Sequence, residues 1–557
     1  MSERFLPSST RPWARRDETG WIVWAFGHAF AQGRRLPAAE LARRAAGLLA
    51  AGEAPAALAA GLNGQWALAA QAPDGTLWLA CDHMRSLPLL YQSIPGGQGS
   101  DEADRLTSAG TLDPDSVIEF VLAGYATGPH TLYADVRTVQ SGEVVRLGAE
   151  GAGGTIEAAR HHLHCCTYEA DAEGPEALAA LDQTLMDACA RALEVVDGRQ
   201  IALPLSGGLD SRCLVSCFRR LGYDNLACFA YGLPGNREMV KSRAVAEALG
   251  VRWFPVSYDP AELARDLASE SQARFRRFSA QACAMACLTE WTAVRRVCEE
   301  GLVDRDAVFL SGQSGDFING SHLKYLLDPE WRADPLDVAG AIRAKHYSLW
   351  LDLARRPDLQ AVCQRRTAEV MAGWPTATLP EAAAAYEHWE NQERQLKYVA
   401  QGGRLFEFFG HDWLMPLWDR EVMDFFRPVS LGLKLRGYLY AKTLATFDPY
   451  GVFAGDMPRA RFDRAAAAAE QARLAARPGR RLRRLVSGLP GLGDLLWRRE
   501  RERVFRHHRR YDPLGFAQAY PEAEYVNRDP GKRHSLALWV RDYLAEAHGV
   551  DLARLGR

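Results

Sequence analysis

The stretch Leu205-Ser206-Gly207-Gly208-Leu209-Asp210-Ser211 decides how this chain is read. It closes the apolar run IALPL, residues 201–205, and opens a helical pattern from about Ser211 to Leu221. Strand, glycine turn and helix, in that order, build an anion site. Glycines let the backbone come close to a polyanion, successive N–H groups form a nest, and the helix N-terminus adds partial positive charge. Ser206 and Ser211 supply hydroxyl donors. Asp210 inside such a site repels phosphate unless a cation bridges the two, which points to Mg2+ shared between carboxylate and phosphates. A Walker A loop is excluded, because the only Gly-Lys pair, Gly531-Lys532, is followed by Arg533.

Outward from the loop, strands and helices alternate. A helical pattern over Ala177 to Val196 leads into IALPL; LACFAYG (226–232), a helix over Arg237 to Leu249 and WFPVSY (253–258) follow. That alternation predicts a parallel sheet with helices on both faces. Residues 280–450 read as mostly helical, with one more strand, AVFLSG, at 307–312. Residues 1–165 read as β-rich. One helix is expected over Leu36 to Ala60, with strands at WIVWAFGHAF (21–30), QWALAAQ (65–71) and TLWLACD (76–82). TLYADVRTV (131–139) and EVVRL (143–147) flank the turn signal Ser141-Gly142 and are expected to pair as a hairpin.

The 557 residues exceed what one hydrophobic core supports. With 48% apolar, 24% charged and 10% aromatic residues, the composition is that of a globular chain and excludes a disordered or fibrous one. A net charge of −2 argues against nucleic acid as a partner of the whole molecule. Eleven cysteines are too few for a disulfide scaffold. No apolar run reaches the ~18 residues of a spanning helix, and the first residues contain no signal-like apolar segment. The expected location is the cytoplasm, with reduced thiols.

The Ser206–Ser211 loop resembles that of the N-type ATP pyrophosphatases, and within them the chain is similar to asparagine synthetases. FAYGLPGNREMVKSRAVAEALG (229–250) resembles the family's second strand and helix. LSGQSGDFING (310–320) resembles SGEGADELFGG, and GHDWLMPLWDREVMDFF (410–426) resembles GxEARVPFLDxxxxxF. LNGQWALAA and DHMRSLPLLY give the amino-terminal half the same texture. The resemblance implies an α/β chain: an amino-terminal Ntn-type αββα sandwich over 1–168, degenerate as a glutaminase, then an ATP pyrophosphatase domain over 169–460 with a parallel sheet of adenine-nucleotide α-hydrolase type. A basic helical extension over 461–557 completes it. ATP and Mg2+ are the implied cofactors. Leu205 to Ser211, Tyr231, Ser311 and Gly312 are the implied nucleotide contacts, and Asp210 and Asp316 the metal ligands. The implied reaction passes through an acyl-adenylate to an amide.

Four departures shape the expectation. Residue 2 is Ser2 where the family's glutaminase has its cysteine, and the first cysteine is Cys81; a hydroxyl is far less nucleophilic than a thiolate. Gln313 replaces the family glutamate and cannot act as a base. Leu414, beside Trp413, replaces the arginine that gathers a small acid, and Trp413 with His411 suggests a larger, ring-shaped substrate. Arg459 stands where the family has its late lysine, with Lys442 as a second candidate for that role. The catalytic candidates are therefore Arg459, Gln313 and Lys442.

The expected function is an ATP-dependent ligase that joins a small-molecule or glycan carboxylate to ammonia or an amine. A uronic acid of a surface polysaccharide is favoured. Asparagine synthesis from ammonia, closure of a β-lactam or lasso-peptide macrolactam, and a non-catalytic nucleotide-binding relative are the alternatives. Residues 459–510 hold 16 Arg or Lys against five acids. They read as a solvated face packed on the synthetase, or as a peripheral contact with the inner face of a membrane. Cys213/Cys217 and Cys283/Cys287, at i, i+4 on helices, read as packing rather than metal ligands. His161, His162 and His164 read as a solvated turn.

Overall fold

The computed structural model describes residues 2–107, 110–149, 155–285, 287–329, 334–350, 352–456, 460–475, 512–520 and 534–552. Its first 160 residues form two sheets packed face to face. Asn63–Gln71 shows why: Trp66, Leu68 and Ala70 point to one side and Ala67 and Ala69 to the other, as the two-residue strand period requires. Between the sheets lie Trp24, Ala67 and Leu79 of the seven-stranded sheet, with Phe5 and Tyr91 of the four-stranded one. Helix Ala38–Ala50 covers the outer face of the larger sheet through Leu41, Ala45 and Leu49. Helix Pro114–Ala123 shares a core with Leu90 and Val136 of the smaller sheet. The layering is helix, sheet, sheet, helix.

Two expectations for this region are corrected. The helical stretch over 36–60 is two helices, because Gly52 takes a left-handed φ of 91° and Pro55 starts a new helix. The expected hairpin does not form. Val136–Thr138 pairs with Leu90–Gln92 in the smaller sheet, whereas Glu143–Leu147 pairs with Leu77–Cys81 and Ile156–Arg160 in the larger. The turn at Gly142 carries the chain from one sheet to the other. A turn signal fixes a reversal of direction, not the strand that is met afterwards.

Helix Pro175–Val196 then leads into five parallel strands. Their order is Arg252–Ser257, Leu226–Gly232, Ile201–Pro204, Val308–Leu310, Trp413–Leu414. The first three progress outward in one direction, and the chain then returns to the far side of Ile201–Pro204. The topological switch therefore lies between Ile201–Pro204 and Val308–Leu310, and open parallel sheets bind ligands at the carboxyl ends of such a pair. The loop of residues 205–211 leaves one of these strands and the segment 311–316 leaves the other.

The two regions are tied together by polar contacts. Arg191 holds Asp419 through two hydrogen bonds of 2.8 Å, Asn63 Nδ2 donates to the same carboxylate, and His83 Nε2 meets the carbonyl of Trp418 at 2.6 Å. Helix His534–His548 buries Leu536, Trp539, Val540, Tyr543 and Leu544 in the core that also holds Phe120 and Phe275. No helix among the described residues is long and apolar enough to cross a membrane. The basic run 476–511, with its expected membrane contact, lies outside the described residues.

Candidate active site

Helix Leu209–Arg220 begins directly after the glycine pair, so Asp210 sits in its first turn. The loop is internally braced. Ser206 N donates to Ser211 Oγ at 3.0 Å and Gly208 N to Ser206 Oγ at 3.1 Å. Arg212 holds the Gly208 carbonyl at 2.9 Å and the Val452 carbonyl at 2.6 Å. The N–H of Gly207 donates to a carboxylate oxygen of Glu238 at 2.9 Å. The nest thus already binds an anionic group, and Glu238 must give way for a phosphate to take that donor.

Segment 311–316 presses directly onto this loop. A Cβ on Gly312 would lie 2.7 Å from Ser211 N, and one on Gly315 would overlap the Asp210 carboxyl. Both glycines are needed for the approach. The result is that Asp316 N donates to Asp210 Oδ2 at 3.0 Å. Burial, with Asp316 close by, pushes the Asp210 carboxyl up to about 8. Asp210 Oδ1 is buried with no hydrogen-bond partner. An orphaned carboxylate oxygen beside a second carboxylate is a donor set of the kind hard divalent cations select.

These groups line a cleft of about 550 Å3 with Leu205, Ser206, Gly208, Leu209, Ser211, Tyr231, Ser311, Gly312 and Gln313. The sequence-predicted nucleotide contacts are therefore gathered in one place, with Gly207 presenting its backbone beside them. Residues that the sequence reading missed also line the cleft: Glu238, Glu290, Gln395, Tyr398, Val399 and Leu514. Gln395, Tyr398 and Val399 belong to a wide-turned π-helix, Glu390–Val399. Leu514 arrives from the carboxy-terminal segment, where Pro513 O accepts from Leu233 N at 2.8 Å. Nothing in the local sequence at 290 or 514 marks either residue.

Residues 180–445 match the family model described as asparagine synthase. That segment belongs to the asparagine synthetase superfamily. No curated protein matches the chain. The matched synthetase segment contains the glycine loop, both aspartates and the π-helix, and supports an ATP-dependent, amide-forming ligase.

Several expected placements fail. Lys442 pairs with Glu173, Nζ to Oε2 at 3.2 Å, and is not among the residues lining the cleft. Trp413 lies against Gly403, where a Cβ would collide with its indole. His411 Nδ1 meets the Ala307 carbonyl at 3.0 Å and its ring packs edge-on against Phe309. Neither aromatic ring lines the cleft, so the case for a ring-shaped substrate loses its stacking surface. Leu414 is buried, and its carbonyl accepts from Ser311 N at 3.1 Å. Arg459 lies outside the described residues. Cys283 and Cys287 follow a helix end at Ala280 rather than sharing a helix. Cys213 and Cys217 do share one and are buried.

The histidines near residue 164 are not a solvated turn. His164 is 3% exposed and faces Glu387 with Cys166 and Tyr168. His164, Cys166 and Glu387 have metal-ligand spacing, but the Lys434 ammonium pairs with Glu387 and lies 3.4 Å from Cys166 Sγ. The cation demand of the cluster is met by lysine.

Ser314 stands where the resembling motif has glycine and holds a φ of 81°, with its buried hydroxyl unpartnered. A left-handed residue with a Cβ costs roughly 1–2 kcal/mol. Ser314→Gly is expected to raise Tm by a few degrees, at roughly 2–4 °C per kcal/mol. Differential scanning calorimetry checks it, and a lowered Tm would show that the hydroxyl is structurally needed.

Proposed function

We propose that the chain is a carbon–nitrogen ligase that activates a carboxylate as an acyl-adenylate, releasing pyrophosphate, and then passes the acyl group to ammonia or an amine, releasing AMP. One observation carries the reading: Asp210 and Asp316 converge at the switch point, directly above a glycine loop whose N–H already binds a carboxylate. Mg2+ held by Asp210 and Asp316 would neutralise charge on the pyrophosphate leaving group. The chain's own part is positional. The loop N–H groups hold the phosphates, Arg212 keeps the Gly208 carbonyl turned away from them, and Ser311 and Gly312 border the site from the neighbouring strand.

The acceptor carboxylate is read as an acid other than free aspartate, with a sugar uronic acid as one candidate, since the arginine that would clamp a small acid is the buried Leu414. Release of pyrophosphate from Mg·ATP, measured with a panel of uronic acids, peptides and aspartate, tests this. No release with any of them would refute the ligase reading.

The amino-terminal sandwich is read as structural. Cys81 is fully buried, and burial pushes its thiol up to about 12, leaving it inert near neutral pH. Incubation with glutamine is therefore expected to yield no glutamate. Glutamate formed by the pure chain, detected by a dehydrogenase-coupled assay, would overturn the structural reading.

A further inference from the structure

The acids of the cleft fall into two groups. Asp210, Asp316 and Glu238 attend the glycine loop. Glu290 stands apart, on the residue before helix Trp291–Glu299, and the groups acting on its carboxyl are Tyr231 and Gln313. Its Oε1 accepts from Tyr231 Oη at 3.1 Å and from Gln313 Nε2 at 3.3 Å. The Tyr231 hydroxyl and one N–H of the Gln313 amide are thereby engaged. Two acceptors stay open beside them: Glu290 Oε2, which takes no hydrogen bond from a described residue, and Gln313 Oε1, a buried oxygen without a partner. No Lys or Arg is among the described residues that line the cleft. Burial pushes the Glu290 carboxyl above the usual carboxylate range.

Ligand chemistry follows from this inventory. The edge of an adenine offers one donor and one acceptor and needs a protein donor in return; a carboxylate or phosphate oxygen needs one also. An ammonium ion offers donors alone and carries the charge that unneutralised acids attract.

We propose that Glu290 and Gln313 form the subsite of the nitrogen donor, which enters as ammonium or a primary alkylammonium ion. This rests on the ligase reading and supplies the base that Gln313 cannot be. The ammonium passes one proton to Glu290 Oε2, which frees its lone pair. Nitrogen attacks the acyl carbon and the C–N bond forms. The bond from the acyl carbon to the AMP oxygen breaks, and its electron pair leaves with AMP. The excess proton on the new amide nitrogen goes to the AMP phosphate.

The subsite is tested without knowing the acid. The full chain, with Mg·ATP present, is titrated calorimetrically with methylammonium chloride, using potassium chloride as the ionic control. Saturable binding to the wild type is expected, weakened at least ~10-fold in Glu290→Gln for the loss of a charge-assisted hydrogen bond. Absent saturation in the wild type, or equal affinity in the variant, overturns the subsite. With an acid identified by pyrophosphate release, Glu290→Gln should lose ammonium-dependent amide formation ~100-fold more than pyrophosphate exchange, and Glu290→Asp should recover part of it. Equal loss of both would place Glu290 in the nucleotide grip and overturn its role as base. Failure of the wild type to exchange pyrophosphate with any acid would instead refute the ligase reading, with the methylammonium titration still deciding the subsite.

Discussion

Asp210→Asn is expected to lower ATP-dependent pyrophosphate release by ~10³-fold or more, the scale on which preorganised charge at a developing anion acts. The substitution keeps the shape of the side chain and the hydrogen bond from Asp316 N, and removes only the charge that a divalent cation needs. It should also make the metal-free protein more stable. A carboxyl raised to about 8 in the fold, against an unfolded value near 3.8, stays protonated while the unfolded chain ionises. Stability therefore falls as pH rises from about 3.8 to about 8, by up to ~1.4 kcal/mol per pH unit from this group. Asparagine removes that slope. Calorimetry in EDTA across this range, beside the pyrophosphate assay, reads both effects. A variant that is less stable as well as inactive would mark Asp210 as structural, and one that turns over normally would refute the metal assignment.

The glycine loop was legible because its chemistry is local: strand, turn and helix lie within a few residues, and the backbone of that unit is the anion site. Asp316 was reached only through a motif, yet its position follows from topology, because it leaves the strand on the other side of the switch point. The failures share a cause. Lys442, Trp413 and His411 each have the chemistry attributed to them, but a side chain's direction depends on the element opposite it, and here Glu173, Gly403 and Ala307 claimed them. The hairpin failed for the same reason at the level of strands. His164 looked exposed because a linker between two regions is usually wet; this one is buried by a helix more than two hundred residues away. Glu290 was invisible, since a lone glutamate before a helix carries no periodicity and gains meaning only from Tyr231 and Gln313 across the cleft.

The buried linker yields the second large effect. Lys434 and Glu387 are both fully buried and form a direct ion pair, and Lys434 is the principal counter-charge of the Glu387 carboxylate. Tyr168 Oη donates to Glu387 Oε2 at 2.7 Å, and His164 and His322 lie against the same carboxylate. Lys434 also backs the turn after Asp316, where a Cβ on Gly320 would lie 2.9 Å from its Cγ. Lys434→Met leaves a carboxylate buried without its cation and should cost about 3–5 kcal/mol, because the desolvation already suffered is no longer offset. Tm should fall by roughly 10 °C. Pairing the change with Glu387→Leu should recover most of the loss, since two apolar groups need no compensation. The pH dependence has a definite sign. Lys434 and its neighbours hold the Glu387 carboxyl well below its usual 4.5, although burial alone would raise it. The stabilisation is complete above about 4.5 and is lost progressively as pH falls below it. Thermal scans between neutral pH and pH 3 should therefore show the wild type losing its advantage over the double variant on acidification. An advantage that held constant with pH would mean that the pair does not carry the linker, and that its hold on the turn behind Asp316 rests on packing alone.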